Sequence, residues 1–445
     1  MKPPFAAIWF PVLVLISRVG MAELADVGPG PLKVGIAVVD ITPEKPVWMG
    51  GFGARKEPSK GVYRKLTATS VVFDNGNARV AFLALDLCKI MEAQLGDLRA
   101  AAGEAGIPPQ HVMINSSHTH YGPHLGHKKN GKYRALFKKR TDPLFKQAVA
   151  DLQPAFLDYA VGTCTMAVNR RQMKSDGKVG GMRPEPRKQI DPDVPILRVL
   201  SPDGKVRAVI FGYACHPTTV SALDYKIGTD YPGFARDWIA AAYPGCTPVF
   251  LQGCGGDIKP RYTKPSPTGY GRFGHVLLDQ YEIVAELGHE LGRAVVAALV
   301  VPPQPVPAAR TAPVAETAER TVHLGGIVEK VTVPDKKDPE HKSHRIYMGA
   351  WRIGDVYIFG SQCEICSRIG LRIKREMAGK RVWTNGYTHW GGGYIPDAES
   401  YPEGGYEVRC SNVSPATEEI LVSNAKRYIE TLRAGKTGNG RISVR

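Results

Sequence analysis

The sequence predicts an α/β fold, and three observations carry that expectation. Short β-branched runs bounded by turn residues recur along the chain, segments with helical spacing alternate with them, and the residues able to do chemistry fall just after apolar runs. Hydrophobic residues make up 43% and charged residues 22% of the 445, close to globular averages, which excludes a disordered chain or a polytopic membrane protein.

The chain opens Met1-Lys2, runs through an apolar stretch from Phe5 to Ser17, and reaches the small residues around Gly20-Met21-Ala22. Residues 1–22 therefore read as a cleavable signal peptide, too short and too interrupted by Arg18 to span a membrane, and the protein is expected to be secreted or periplasmic. The formal charge is +16, and +14 once Lys2 and Arg18 are removed, a balance that favours anionic surfaces. The densest basic run, KKNGKYRALFKKR from Lys128 to Arg140, lies in no recognised nucleic-acid module. It reads as a solvated helix or loop face, and no nucleic-acid partner is expected. Eight cysteines in an exported chain could form disulfides, with pairing left open.

From Lys33 the run VGIAVVDITP reads as a strand, and SVVFD and ARVAFLALD around Asn75-Gly76-Asn77 read as a hairpin. Residues 91–103 have helical spacing, and the buried-looking strand HVMINSS runs straight into His118. A basic helical segment to about Leu152 and a strand over 159–167 follow. Residues 172–189, rich in Gly, Pro and Arg, form a loop long enough to act as a lid. ILRVL and VRAVIFGYA make a second hairpin that delivers His216. Helices are expected over 233–242, 283–300, 367–377 and 416–433, with strands PVFLQG and VYIFGSQ between them. Pro302 to Pro313 reads as an ordered crossing segment within one domain, and no internal repeat is visible.

His118-Thr119-His120 is the sharpest local signal, because residues two apart on an extended segment project to one side and can address one metal or substrate. His124 and His127 add local density and could simply line a loop. His216 and Glu364 each follow a buried strand, though Glu364 could equally cap the helix after it. Gly253-Cys254-Gly255-Gly256-Asp257-Ile258-Lys259-Pro260 lacks Walker spacing and reads as an oxyanion-binding or substrate-positioning loop.

In their order along the chain these segments resemble the neutral, non-lysosomal ceramidase family. VGIAVVDITP…MGGFG resembles its N-terminal strand and glycine turn, NSSHTHYGP its first histidine motif, and AVNRR the Asn-Arg segment after it. YACHPTTVS with TDYPG matches the second histidine motif, and LQGCGGDIKP the nucleophile loop. CEICSRIGLRIK and GGGYIPDAESYPEGGYE match the glutamate and tyrosine motifs. The resemblance implies a single catalytic domain over 23–445 with mixed β-sheets covered by helices, without the C-terminal immunoglobulin-like domain usual in the family.

It further implies that His118, His216, Glu364 and Tyr394 bind one zinc ion. His120 and Tyr406 would then contact the substrate carbonyl or its oxyanion, with Arg170 near the substrate and Gly256, Asp257 and Tyr401 at substrate-binding positions. The family's nucleophilic serine is Lys259 here, so the expected reaction is zinc-dependent hydrolysis of a ceramide-like N-acyl amide by metal-activated water. Two other readings stay open: hydrolysis of an ester or glycosidic linkage in a polar or anionic substrate, and a catalytically silent secreted protein that binds metal or ligand.

Overall fold

The computed structural model describes residues 30–261, 280–300 and 321–435, together with 272–273, 276–277 and 304–305. The leader expected over 1–22 lies outside the described residues, as does most of the crossing segment 302–313. No helix among the described residues is long and apolar enough to cross a membrane.

Three mixed sheets form the framework, and they share one strand order. In the first, Lys33–Asp40, Thr67–Asp74 and Arg79–Leu85 pair antiparallel in sequence, and Val112–Ser116 then adds parallel to the third. The second repeats this with Phe156–Thr163, Asp193–Leu200, Val206–Tyr213 and the parallel Thr247–Gln252. The third repeats it with Leu324–Pro334, Ser343–Ile353, Val356–Ser361 and the parallel Arg381–Asn385.

Local chemistry dictates each step. Short turns join the second strand of each sheet to the third, as at Gly76, whose φ of 83° follows Asn75. A parallel neighbour cannot be reached by a tight turn, so each fourth strand arrives through a crossover helix: Glu92–Glu104, Tyr231–Ala242 and Ser367–Glu376. A helix also follows each fourth strand: Leu144–Ala150, Gln280–Val300 and Thr417–Arg433. The threefold recurrence is one of topology, carried by alternation and turn placement, which is why no repeat shows in the residues themselves.

The parallel strands meet at their C-terminal ends. Asn115 accepts the Gln252 backbone N–H at 2.7 Å and donates to the Gln252 and Gly386 carbonyls at 3.2 and 3.0 Å, so one buried amide ties all three sheets together. Around this hub the core is continuous. Trp383, 1% exposed, packs so closely on Gly212 that a Cβ there would stand 2.6 Å from its ring. Burial of such an aromatic stabilises the fold by roughly 3 kcal/mol.

The expected helices and hairpins are present with small boundary shifts. The expected strand 159–167 is two elements, Phe156–Thr163 and Ala167–Asn169. The expected lid loop contains a hairpin, Arg171–Met173 with Val179–Met182, clamped to the 400–409 region by Lys178, which donates to the Pro402 carbonyl at 2.8 Å. All eight cysteines are free thiols, so none of the possible disulfides is formed.

Candidate metal centre

Equivalent positions of the three sheets converge on one buried point at the strand ends, where ligand sites of open α/β sheets form. Three residues beyond the third strands stand Cys88, His216 and Glu364. Two residues beyond the fourth stand His118, Tyr387 and Cys254, of which Cys254 packs instead against Gly370. His118 and Tyr387 both adopt left-handed backbone, with φ of 62° and 56°, which swings their rings back into the centre.

Glu364 Oε2 lies 3.4 Å from His118 Nε2 and 3.0 Å from His216 Nε2. The other nitrogen of each ring is committed to the main chain: His118 Nδ1 donates to the Cys88 carbonyl at 2.8 Å and His216 Nδ1 to the Gly255 carbonyl at 2.7 Å. Those bonds set the tautomer, leaving both Nε2 lone pairs aimed at the carboxylate. Two acceptors and an anion facing one another call for a cation, and the three ligand atoms lie within 4.8 Å of one another, a donor set that suits a divalent metal. A second cluster, Cys88 with His118 and His120, shares His118.

Electrostatics express the same need. Burial alone would raise Glu364, but the imidazoles of His118 and His216 hold it well below the usual carboxylate range. Burial opposes a charged His118, yet Cys88 and Glu364 outweigh it and lift its pKa to about 10, so that without a metal ion a proton on Nε2 takes the cation's place beside Glu364. Burial, with Arg170 nearby, presses His216 down to about 4.

Tyr394 joins through the backbone: Glu364–Ile365 and Tyr394–Ile395 form a two-residue parallel ladder in which Glu364 pairs directly with Tyr394. Arg170 donates to the Tyr394 hydroxyl at 3.1 Å and to Glu407 at 2.8 Å, and Arg171 donates to the other Glu407 oxygen at 2.9 Å. Tyr406 follows the positive-φ pair Gly404-Gly405 and presents its ring 5.5 Å from that of Tyr394. His120 Nε2 lies 3.2 Å from His118 Nε2, and its buried Nδ1 has no protein partner. Burial and the charges of His118 and His216 keep His120 neutral.

In the glycine loop four main-chain donors are engaged within the protein. The N–H groups of Gly253, Gly255, Gly256 and Ile258 are consumed by the carbonyls of Tyr213, Gly253, Ile365 and Gly255, which leaves none of these four for an oxyanion. Gly256 is required because a Cβ would stand 2.6 Å from the Glu364 carbonyl oxygen. Asp257 accepts from the Ser367 backbone N–H at 2.7 Å and from Asn169 at 2.7 Å, so it caps the helix that Glu364 could have capped. Tyr401 gives its hydroxyl proton to the Val413 carbonyl at 2.6 Å. Gly256, Asp257 and Tyr401, expected at substrate positions, thus have these groups engaged within the protein. His124 and His127 line a loop: His127 stacks on Trp48 with ring centroids 4.7 Å apart.

Lys259 sits on Ile258–Pro260, which pairs antiparallel with Ala167–Asn169 in the register Lys259 to Val168. Burial, and then the charge of Arg170, lowers its pKa. Sequence reasoning missed Cys88 and Tyr387, although both follow apolar strands as His118 and His216 do; Glu407 carried no local signal.

No protein-family model matches the chain. Among curated proteins, the neutral ceramidase of Pseudomonas aeruginosa is 25% identical over 252 residues, covering 52% of this chain and 37% of its own length. The match thus spans little more than a third of that relative. The crystal structure of neutral ceramidase from Pseudomonas aeruginosa superposes with a TM-score of 0.74 at 19% identity, covering 95% of this chain and 76% of that one. A ceramidase complexed with C2 gives 0.73 at 18% identity, covering 93% and 77%. The chain carries a neutral-ceramidase-like domain.

Proposed function

We propose that the protein is an exported, metal-dependent amidohydrolase that cleaves the amide of a ceramide-like N-acyl substrate, adding water across the C–N bond to release a carboxylic acid and an amine. The observation that carries this reading is the convergence of the His118 and His216 Nε2 atoms on Glu364, each ring fixed by a main-chain carbonyl. Likeness to neutral ceramidase supports the reaction class.

His118, His216, Glu364 and Tyr394 would hold the cation, with zinc favoured by the mixed nitrogen and oxygen donors. When bound, such an ion polarises a carbonyl and acidifies water. The chain's own groups supply the rest. Arg170, anchored by Glu407, orients the Tyr394 hydroxyl. His120, kept neutral, and Tyr406 are assigned to the carbonyl oxygen, where donors placed for the developing charge lower the barrier. Residue 259 has no hydroxyl, so the attacking oxygen comes from water rather than from a side chain.

The test is metal analysis of purified protein with turnover of a fluorogenic N-acylsphingosine, repeated for His216→Ala. Stoichiometric divalent metal and turnover are expected in the parent, and loss of both in the variant. Protein free of transition metal, or a variant that keeps its metal, removes the assignment.

A further inference from the structure

Resting on the amidohydrolase reading, we propose that the substrate carries an anionic group beside its scissile amide, and that Lys259 is the residue that receives it. The argument starts from register. Lys259 and Val168 are direct antiparallel partners, so their side chains leave the ribbon on one face, and Arg170, two residues beyond Val168, alternates onto that face as well. Arg170 N–H bonds to the Asp257 carbonyl, extending the ladder, which makes Lys259 and Arg170 diagonal neighbours about 7 Å apart at the backbone. Arg170 in turn touches Tyr394, whose ladder partner is Glu364. The Lys259 side chain therefore stands one neighbour away from the residues that face the reacting bond.

Charge accounting shows what belongs there. Arg170, Arg171 and Lys188 share two carboxylates, Glu407 and Glu403. Lys259 has no carboxylate partner among the described residues, although it is half-buried beside Arg170. A sheltered ammonium near a guanidinium, with no carboxylate of its own, is a poor arrangement for stability alone. It becomes favourable when a ligand anion completes it.

Val168, the direct partner of Lys259, also lines a cavity of about 310 Å³ together with the apolar Ala167, Pro184, Pro186 and Ile190 and the cations Lys188 and Arg261. Both of these cations are already paired, Lys188 with Glu403 and Arg261 with Glu290. An amide at the centre, a negative charge at Lys259 and apolar substance against the prolines describe one molecule: an N-acyl amine bearing a carboxylate or sulfonate close to nitrogen.

Three probes with one acyl chain separate the possibilities: N-octanoylglycine and N-octanoyltaurine, which are anionic, and N-octanoylethanolamine, which is neutral. The full chain is expected to prefer the anionic pair at least tenfold in kcat/KM, with the preference shrinking as salt rises. Lys259→Met should erase that preference and Lys259→Arg should retain most of it. An equal loss on all three probes, or an unchanged ratio in the Met variant, overturns the proposal. If the parent turns over none of them, the amidohydrolase reading fails separately, and calorimetric titration with N-octanoylglycine decides the anion site. Binding that weakens tenfold or more in Lys259→Met upholds it, and binding that is absent or equal in both proteins rejects it.

Discussion

Tyr387 occupies in the third sheet the position that His118 occupies in the first, and their ring centroids lie 4.4 Å apart at the candidate metal centre. The Tyr387 hydroxyl is buried without a protein partner, and Glu364, Tyr394 and Arg170 all act on it electrostatically. An unpaired buried hydroxyl costs about 1–3 kcal/mol. Tyr387→Phe is therefore expected to melt at the same temperature as the parent or above it, with unchanged metal content, while amide turnover falls at least tenfold. Turnover equal to the parent's would leave the hydroxyl without a role in the reaction.

Glu364 is a nearly buried anion, 15% exposed, between two imidazoles whose free lone pairs face it. Withdrawing a divalent cation from such a set removes folding free energy along with it. Chelation by EDTA should lower the melting temperature by several degrees and abolish turnover, with recovery on adding zinc. Glu364→Gln should bind zinc at least tenfold more weakly in a competition assay; equal affinity takes Glu364 out of the ligand set.

Gly256 lies against the ladder that carries Glu364, leaving no room for a methyl group. The atoms in the way are main chain and cannot rotate aside. Gly256→Ala should destabilise the protein by about 2 kcal/mol in urea unfolding. It should also reduce metal affinity, since Glu364 must move. Wild-type values for both would mean that the ladder yields at no cost.

Glu407 is 1% exposed and holds two guanidinium groups, those of Arg170 and Arg171. Removing one member of a buried ionic group leaves the others uncompensated, a loss of about 3–5 kcal/mol. Glu407→Ala should show that loss in chemical denaturation, and Glu407→Gln, which still accepts hydrogen bonds, should lose less. The reverse order would point to packing rather than charge.

Asp230 caps the helix Tyr231–Ala242 and accepts from Thr219 as well, yet burial raises its pKa from 3.8 to about 6. The folded state therefore holds this proton more tightly than the unfolded chain does. Its stabilising contribution is fully present below pH 3.8 and is lost as the pH rises through about 6. The stability of the parent relative to Asp230→Asn should accordingly fall between pH 4 and 6 and stay level above, as measured by urea unfolding at each pH. A difference independent of pH contradicts it.

Much of this was legible in the residues, because the strands that lead into His118, His216 and Glu364 announce themselves through apolar runs followed by a polar stop. The threefold plan was hidden, since a repeated topology demands only repeated alternation and turns, which many sequences satisfy. The internal partners of Gly256, Asp257 and Tyr401 were hidden for another reason. Whether a donor or acceptor is free for a ligand depends on its partners, and those partners, Ile365, Ser367 and Val413, lie elsewhere in the chain or in a separate turn.

In the glycine loop, four main-chain amides are spent holding the loop and its neighbouring strands in place. Amides in that role in other hydrolases keep their protons at any physiological acidity, so their help to the reaction is constant. Under the proposed reading that help would fall to an imidazole and a phenol, His120 and Tyr406, whose pKa values are moved down and up respectively, away from neutrality. Burial would thus hold each donor in a single protonation state across the neutral range, giving side chains the constancy that amides have by nature.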